Sequence, residues 1–299
     1  MVKYVVVQRF YAEQQLQLFN QLYEIRKQNN FKFKFVYDID DCIISSCLPK
    51  FNDCRQWFNN STDGNMFSIM SRCDIITTST EQLAEVLCNY FNLNDNRIEV
   101  IPNFISSDWI DYKNIFKHGF KKFDNEKNYK KRIGIIGGSS HFSNTQDDDY
   151  SMICDWIQSV DDKYDFVFFG GMPYKLKNKN KYEFHNTAVR FEDYPKSIMA
   201  LNLDLSIACL EDIIFNRCKS NIKVIESWAL NIPIITNNIC TYDLNTMIFH
   251  DNKSLNNLVE NITENKGFFD KIRSENQKRF LKSWTLDKRI KKYVELLKK

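Results

Sequence analysis

The sequence predicts an α/β protein: two units in tandem, each a parallel sheet covered by helices. Three observations carry this. Short apolar runs alternate with segments whose apolar residues recur at helical spacing. The alternation stops at a polar, charged stretch, Ser106–Asn128, and then restarts. The 299 residues, 43% of them hydrophobic and including 24 Phe and 14 Tyr, suffice to fill two cores.

In the first unit, Tyr4–Val7 reads as a continuous apolar strand of a buried parallel sheet. Ala12–Gln28 carries Leu16, Phe19, Leu22, Tyr23 and Ile25 at helical spacing. Phe33–Tyr37 is the second strand and runs into Asp38, Asp40 and Asp41. Asp74–Thr77 is a third strand, and Glu81–Tyr90 a helix for which Ser79 or Thr80 is the N-cap. Arg97–Ile101 is a fourth strand, stopped by Pro102.

In the second unit, the strand Arg132–Ile136 leads into Gly137-Gly138-Ser139-Ser140. Asp148–Val160 reads as a helix, and the strand Phe166–Phe169 ends in Gly170-Gly171. Thr187–Phe191, Leu203–Ala208 and Pro233–Thr236 read as strands, with a helix Ser220–Leu230 before the last. From Leu255 the tail is helical in three pieces; the final one, Leu286–Leu297, is amphipathic and rich in Lys. Open parallel sheets bind ligands beyond the carboxyl ends of their strands. The loops Gln8-Arg9, Asp38–Asp41, Gly137–His141 and Gly170-Gly171 all lie at such ends, so the expected site is a cleft between two facing Rossmann-like domains.

Bulk properties narrow the function. A net charge of +3 is compatible with a phosphate-rich partner without singling one out. The abundance of Asn and Lys reads as the bias of an AT-rich genome, such as many phages carry. Nine Cys, an odd number with no C-x-x-C pair, read as reduced thiols in a cytoplasm, the host's if the chain is viral. The four His are scattered, so no metal site is expected. No apolar run reaches the roughly 18 residues of a membrane span, and MVKYVVVQRF lacks a signal-peptide layout.

The most informative segment is Leu210–Asp243. A polar turn with Phe215, Asn216, Lys219 and Ser220 opens a helix that carries Lys223 and Glu226. A helix start offers free N–H groups and a positive dipole end to a phosphate. Lys219, Lys223 and Glu226 share one helical face, with two ammonium groups for a diphosphate and a carboxylate for ribose hydroxyls. An ordinary capped surface helix with Lys–Glu pairing has the same spacing. The triple aspartate likewise fits either turn chemistry or the Asp-x-Asp of a haloacid-dehalogenase-type phosphatase, with Asp38 as nucleophile and Mg²⁺ bound. That phosphatase pattern lacks its usual Gly and Thr/Val here, since Asp41-Cys42 follow, and Leu203-Asp204-Leu205 supplies one later carboxylate instead of two.

Several stretches, in order, resemble retaining GT-B-fold glycosyltransferases of family 4, phage-type. Leu210–Asp243 looks like their donor-site region, and Cys73–Leu87 like the strand–turn–helix before their linker. Ile98–Ile105 is similar to their Ile-Pro-Asn stretch, Ile133–Asn144 to the first strand and Gly/Ser loop of their nucleotide domain, and Lys282–Trp284 precedes the last helix. Glu226 fits the second of the family's two glutamates, while Cys218 stands at the first. The resemblance implies a domain at 1–105, a linker at 106–128, a nucleotide-sugar domain at 129–284, and a C-terminal helix at 285–299 crossing back to the first domain. It implies a hexosyl- or pentosyltransferase using a nucleotide-diphosphate sugar, most simply a UDP-sugar, with no obligatory cofactor and retention at the anomeric carbon.

The implied donor contacts are Arg9, Gly138, Ser139, Gly170, Asn216, Lys219, Ser220, Lys223 and Glu226. Asp40 and Asp41 would face sugar and acceptor, and His141 the phosphates or sugar; Pro102 and Asn103 would shape the hinge. For the acceptor, the leading expectation is a hydroxymethylated pyrimidine in double-stranded phage DNA, gripped by Lys175, Lys177 and Lys179, with Lys181, Lys121, Lys122, Lys130, Lys131 and Arg132 as further candidates. The alternatives are a surface polysaccharide or lipid-linked glycan, and, in another class, a nucleotide-sugar-binding protein without turnover.

Overall fold

The computed structural model describes residues 2–93, 95–110, 130–176, 180–186, 190–296 and 298. The first sheet consists of β1 (Tyr4–Gln8), β2 (Lys34–Ile39), β3 (Ile75–Thr78) and β4 (Ile98–Val100), parallel and in chain order. They are joined by α1 (Glu13–Gln28), α2 (Asn60–Met70) and α3 (Glu81–Phe91). Right-handed crossovers that always step the same way put all three helices on one face. There Phe35, Tyr37, Ile39 and Ile76 pack with Phe19, Met66, Ile69, Leu83 and Leu87. The opposite face carries the row Gln8–Asp38–Thr77 and a half-exposed Val6.

The second sheet is parallel, in the order β10 (Ile248–Phe249), β9 (Ile234–Asn237), β8 (Leu205–Ala208), β5 (Lys131–Ile136), β6 (Tyr164–Phe169), β7 (Glu183–His185). The chain enters at the centre, builds outward to β7, then returns to β8 on the other side of β5. The strand order therefore reverses between β5 and β8, and ligand crevices of open α/β sheets form at such switch points. Core clusters fill both faces. One gathers α4 (Cys154–Val160), α8 (Asn252–Glu264) and the start of α9 (Lys266–Ser283). The other gathers α5 (Tyr194–Ala200), α7 (Ile222–Ala229) and Phe280 of α9. A short α6 (Ile214–Arg217) precedes α7, and α10 (Leu286–Leu296) closes the described chain. Ile105 pairs with Thr285, Leu286 N–H donates to the Ile105 carbonyl at 2.9 Å, and the Tyr293 phenol lies within the field of Asp38.

Most expected elements are present within a residue or two, and Thr80 caps α3 by accepting from Leu83 N–H at 3.1 Å. The differences have local causes. β2 runs on to Ile39, so Asp38 lies inside the strand, where Gln8 and Thr77 donate to its two oxygens. The expected helix Asp148–Val160 begins only at Cys154, after a 3-10 turn at Ser151–Ile153. Asp148 takes the N–H groups of Ser143 and Tyr150, a side-chain alternative to helical bonding. The strand expected at Thr187–Phe191 is not formed where it can be followed: Phe191 opens a 3-10 turn, 187–189 lie outside the described residues, and the strand is β7. β7 is an exposed edge strand, so no buried face imposes an apolar alternation. α2 and the two-residue β10 were not expected. α2 has a polar first turn, capped by Asn59, and shows its apolar face only from Met66 onward.

Of the nine Cys, all are free thiols, five of them buried. Gly171 is the tightest point near the loop after β6: a Cβ there would lie 2.0 Å from Cδ2 of Phe142. Gly171→Ala must push the Phe142 ring off its stack on Tyr150. We expect a loss of about 1–3 kcal/mol, read as a lower urea midpoint with unchanged slope; an unchanged midpoint would show that the ring is free to move.

Candidate functional site

The switch point brings the loop after β5 against the loop after β8. Asp149 is the joint between them. It is fully buried, accepts from Glu211 N–H at 2.9 Å and Asn216 Nδ2 at 2.6 Å, and holds His141 Nδ1 at 2.8 Å. A carboxylate only accepts, so Nδ1 of His141 carries the proton and Nε2 is the acceptor of the neutral ring. Burial, then the positive charge of Lys219, pulls the His141 pKa down to about 4, against the pull of Asp149 in the other direction.

Next to it lies the start of α7. Lys219 is lowered by burial; the charges that act on it are Asp41 and Asp149 upward, Lys223 and Arg9 downward. Its ammonium sits 4.5 Å from the Phe215 ring centroid. Among the described residues it forms no ion pair. Lys223 donates to the Tyr194 hydroxyl at 3.0 Å and to Glu226 Oε2 at 3.2 Å, and Tyr194 donates to the same oxygen at 3.3 Å. Burial lowers the Lys223 ammonium, but Glu226 and Tyr194 outweigh it and hold the pKa above its ordinary value. N-cap Asn221 makes no side-chain cap, so the N-terminal turn of α7 is not closed by its own N-cap side chain.

Across the cleft stand the strand ends of the first sheet. Arg9, with a left-handed φ of 49°, donates from Nε to Asp40 at 2.5 Å and from Nη2 to Asp41 at 2.8 Å. Burial lowers the guanidinium pKa, yet the bond to Asp40 and the charges of Asp41, Asp40 and Asp38 leave it raised. The two lips are stitched together. Thr80 Oγ1 donates to the Cys218 carbonyl at 2.8 Å, Asn103 Nδ2 donates to Ser220 Oγ at 2.8 Å, and Phe215 and Cys218 belong to the first-domain core.

Arg9, Asp40, Asp41, His141, Lys219, Ser220, Lys223 and Glu226 are thus gathered at one cleft. Gly138 joins them on the loop after β5, with nothing within 4 Å of where its Cβ would be; Ser139 opens the 3-10 turn that ends at His141. Gly170 holds φ 98°, a conformation L side chains rarely adopt, at the end of β6. Asn216 is placed differently from the donor contact expected of it: it is fully buried, and its amide NH₂ is spent on Asp149 and the Glu211 carbonyl. Lys175 pairs with Asp147 at 2.8 Å on the loop after β6, Lys181 pairs with Asp161, and Lys177 and Lys179 lie outside the described residues, as do Lys121 and Lys122. Asp149 and Tyr194 escaped the sequence reading. The only signal for Asp149 was the run of three aspartates at 147–149, eight residues beyond His141 at its end.

With this geometry in view, the fold has known counterparts. The chain is similar to a glycosyltransferase from Rickettsia africae, with a TM-score of 0.63 and 15% identity over 95% of this chain and 80% of that one. It is similar to Anabaena HepE solved with UDP, with a TM-score of 0.66 and 11% identity over 99% and 78%. It is also similar to a trehalose 6-phosphate synthase from Burkholderia multivorans, with a TM-score of 0.62 and 9% identity over 99% and 72%. No family model matches the sequence, and no curated protein matches it. Identities this low establish the shared fold, GT-B, and the fold alone.

The His141 ring titrates on a wide gap between folded and unfolded states. Between its unfolded value near 6.5 and about 4, the unfolded chain binds a proton that the folded chain refuses, so stability falls as pH drops through that window. The full effect is about 3 kcal/mol. Urea unfolding at pH 7 and pH 4.5 should show His141→Gln losing less stability on acidification than the wild type; equal losses would place the ring in water.

Proposed function

We propose that the chain is a glycosyltransferase that moves a sugar from a nucleoside-diphosphate sugar to a hydroxyl acceptor, with retention, as the family-4 resemblance implies. The observation that carries this is Lys219: a half-buried ammonium with no ion pair among the described residues, beside a helix start, at the switch point of a GT-B fold. Such a site suits a diphosphate. That HepE has been solved with UDP and with UDP-glucose supports a UDP-sugar as donor.

In this reading the division at 1–105, 129–284 and 285–299 is that of acceptor domain, nucleotide-sugar domain and returning helix. Lys219, Lys223, Ser220 and the loop Gly138-Ser139 take the diphosphate, and the base lies near Gly170. Glu226 keeps Oε1 without a hydrogen bond among the described residues and accepts from the ribose, while Oε2 stays with Lys223 and Tyr194. Positive charge aimed at the departing diphosphate supplies the electrostatic part of catalysis. Asp40 and Asp41, oriented by Arg9, accept from sugar or acceptor hydroxyls, with no covalent nucleophile. His141, neutral and held by Asp149, offers Nε2 as an acceptor at the same place.

The phosphatase alternative is weakened by positions: both oxygens of Asp38 are bonded within the sheet, and Asp40 and Asp41 are paired with Arg9. For the DNA acceptor, Lys175 is already paired with Asp147, which leaves composition as the main argument.

Isothermal titration with UDP tests the donor site. Lys219→Met should weaken binding by about tenfold or more, the worth of one charge-assisted bond, and Glu226→Ala should weaken it too. Unaltered UDP affinity in both variants, with melting unchanged, would contradict the assignment. Incubation with UDP-sugars and either hydroxymethylated DNA or a glycan panel, read by mass shift, identifies the acceptor; transfer to a glycan and none to DNA sinks the DNA reading.

A further inference from the structure

The charge of this chain is unevenly placed. Residues 278–299 hold nine Lys or Arg against two Asp or Glu, a net of +7, while the whole chain carries +3; the remaining 277 residues are therefore at −4. Residues 278–296 of this stretch span the end of α9 and α10, and Lys278, Arg279, Lys282, Lys288 and Lys291 are all exposed.

The same helix exposes an apolar stripe. Leu286, Ile290 and Val294 recur every fourth residue, on one face of α10, and are 37%, 38% and 42% exposed. The inner side is spoken for: Thr285 is buried and pairs with Ile105, Arg289 donates to the Ser283 carbonyl and covers the Trp284 ring, and Tyr293 turns toward Asp38. So α10 is anchored by one side and on another offers the apolar stripe, bordered by Asp287 and then Lys291, with Lys288 farther round the helix. No described helix is long and apolar enough to cross a membrane.

We infer that α10 and the end of α9 form a docking surface for an anionic phospholipid bilayer. Charge complementarity argues for an anionic surface, and the stripe decides between the anionic candidates. A nucleic-acid backbone would use the Lys residues and leave Leu286, Ile290 and Val294 in water, whereas a bilayer interface takes in both. The surface belongs to the helix that returns beside the first sheet, so docking presents the strand ends carrying Arg9, Asp40 and Asp41 near the lipid. This inference is independent of which reaction the cleft performs.

Co-sedimentation of the full chain with phosphatidylcholine vesicles, with and without phosphatidylglycerol, tests it. The wild type should sediment with the anionic vesicles only and be released by added salt. Ile290→Glu with Val294→Glu, and separately Lys288→Glu with Lys291→Glu, should each lower the bound fraction by about tenfold. Neither pair is buried, so both variants should melt with the wild type. Three results would overturn the inference: no wild-type binding to anionic vesicles; binding that the Ile290/Val294 variant retains in full; or binding to duplex DNA in place of vesicles, lost only in the Lys288/Lys291 variant.

Discussion

The arrangement of the cleft depends on one wedge, the turn Phe215–Ser220. It belongs to the second domain by sequence, but Phe215 and Cys218 are buried in the core of the first. Thr80 and Asn103 then grip it from the first domain through the Cys218 carbonyl and the Ser220 hydroxyl. Apolar burial holds the wedge in place, and the two polar bonds fix its register. Lys219 sits between these anchors and cannot leave the interface without undoing them. The first charged side chain of the α7 segment is thereby carried to within the fields of Arg9 and Asp41 on the opposite lip.

Charge is distributed within the cleft according to how each group is compensated. On the first-domain lip, one guanidinium serves two carboxylates, and three local partners share the cost of burial. On the second-domain lip, Lys223 is neutralised by Glu226, and His141 is kept neutral by its surroundings. Lys219 lacks such a partner among the described residues. Buried charges are stable only when paired or bonded, so the uncompensated position is where an anionic ligand gains most. Asp149 makes this possible: by tying His141, Asn216 and the Glu211 amide together, it rigidifies both loops of the switch point.

The aspartate triplet shows how register sorts residues that look alike in sequence. β2 pairs with β1 through Asp38 and with β3 through Ile39, which places Asp38 opposite Gln8 and Thr77 and commits it to the sheet. Asp40 and Asp41 fall beyond the last paired residue and turn to Arg9. Arg9 can meet both because its backbone adopts a left-handed conformation just past β1.

Much of the architecture was legible along the chain. The parallel strands, the amphipathic helices, the break after Pro102 and the lysine-bearing helix start were all set by local periodicity and cap chemistry, which depend on neighbours in sequence. The same local rules missed α2, whose buried face begins late, and the edge strand β7, which has no buried face at all. They also gave Asp148 and Asp149 to a helix and Asn216 to the ligand. Only the tertiary structure decided those roles, because each is a pairing between residues remote in sequence: Asp149 with Asn216, Thr80 with Cys218, Arg9 with Asp40 and Asp41. Sequence determined which chemical groups stand at the strand ends; the crossing of the two sheets determined which of them share their charge and which one is left without a partner.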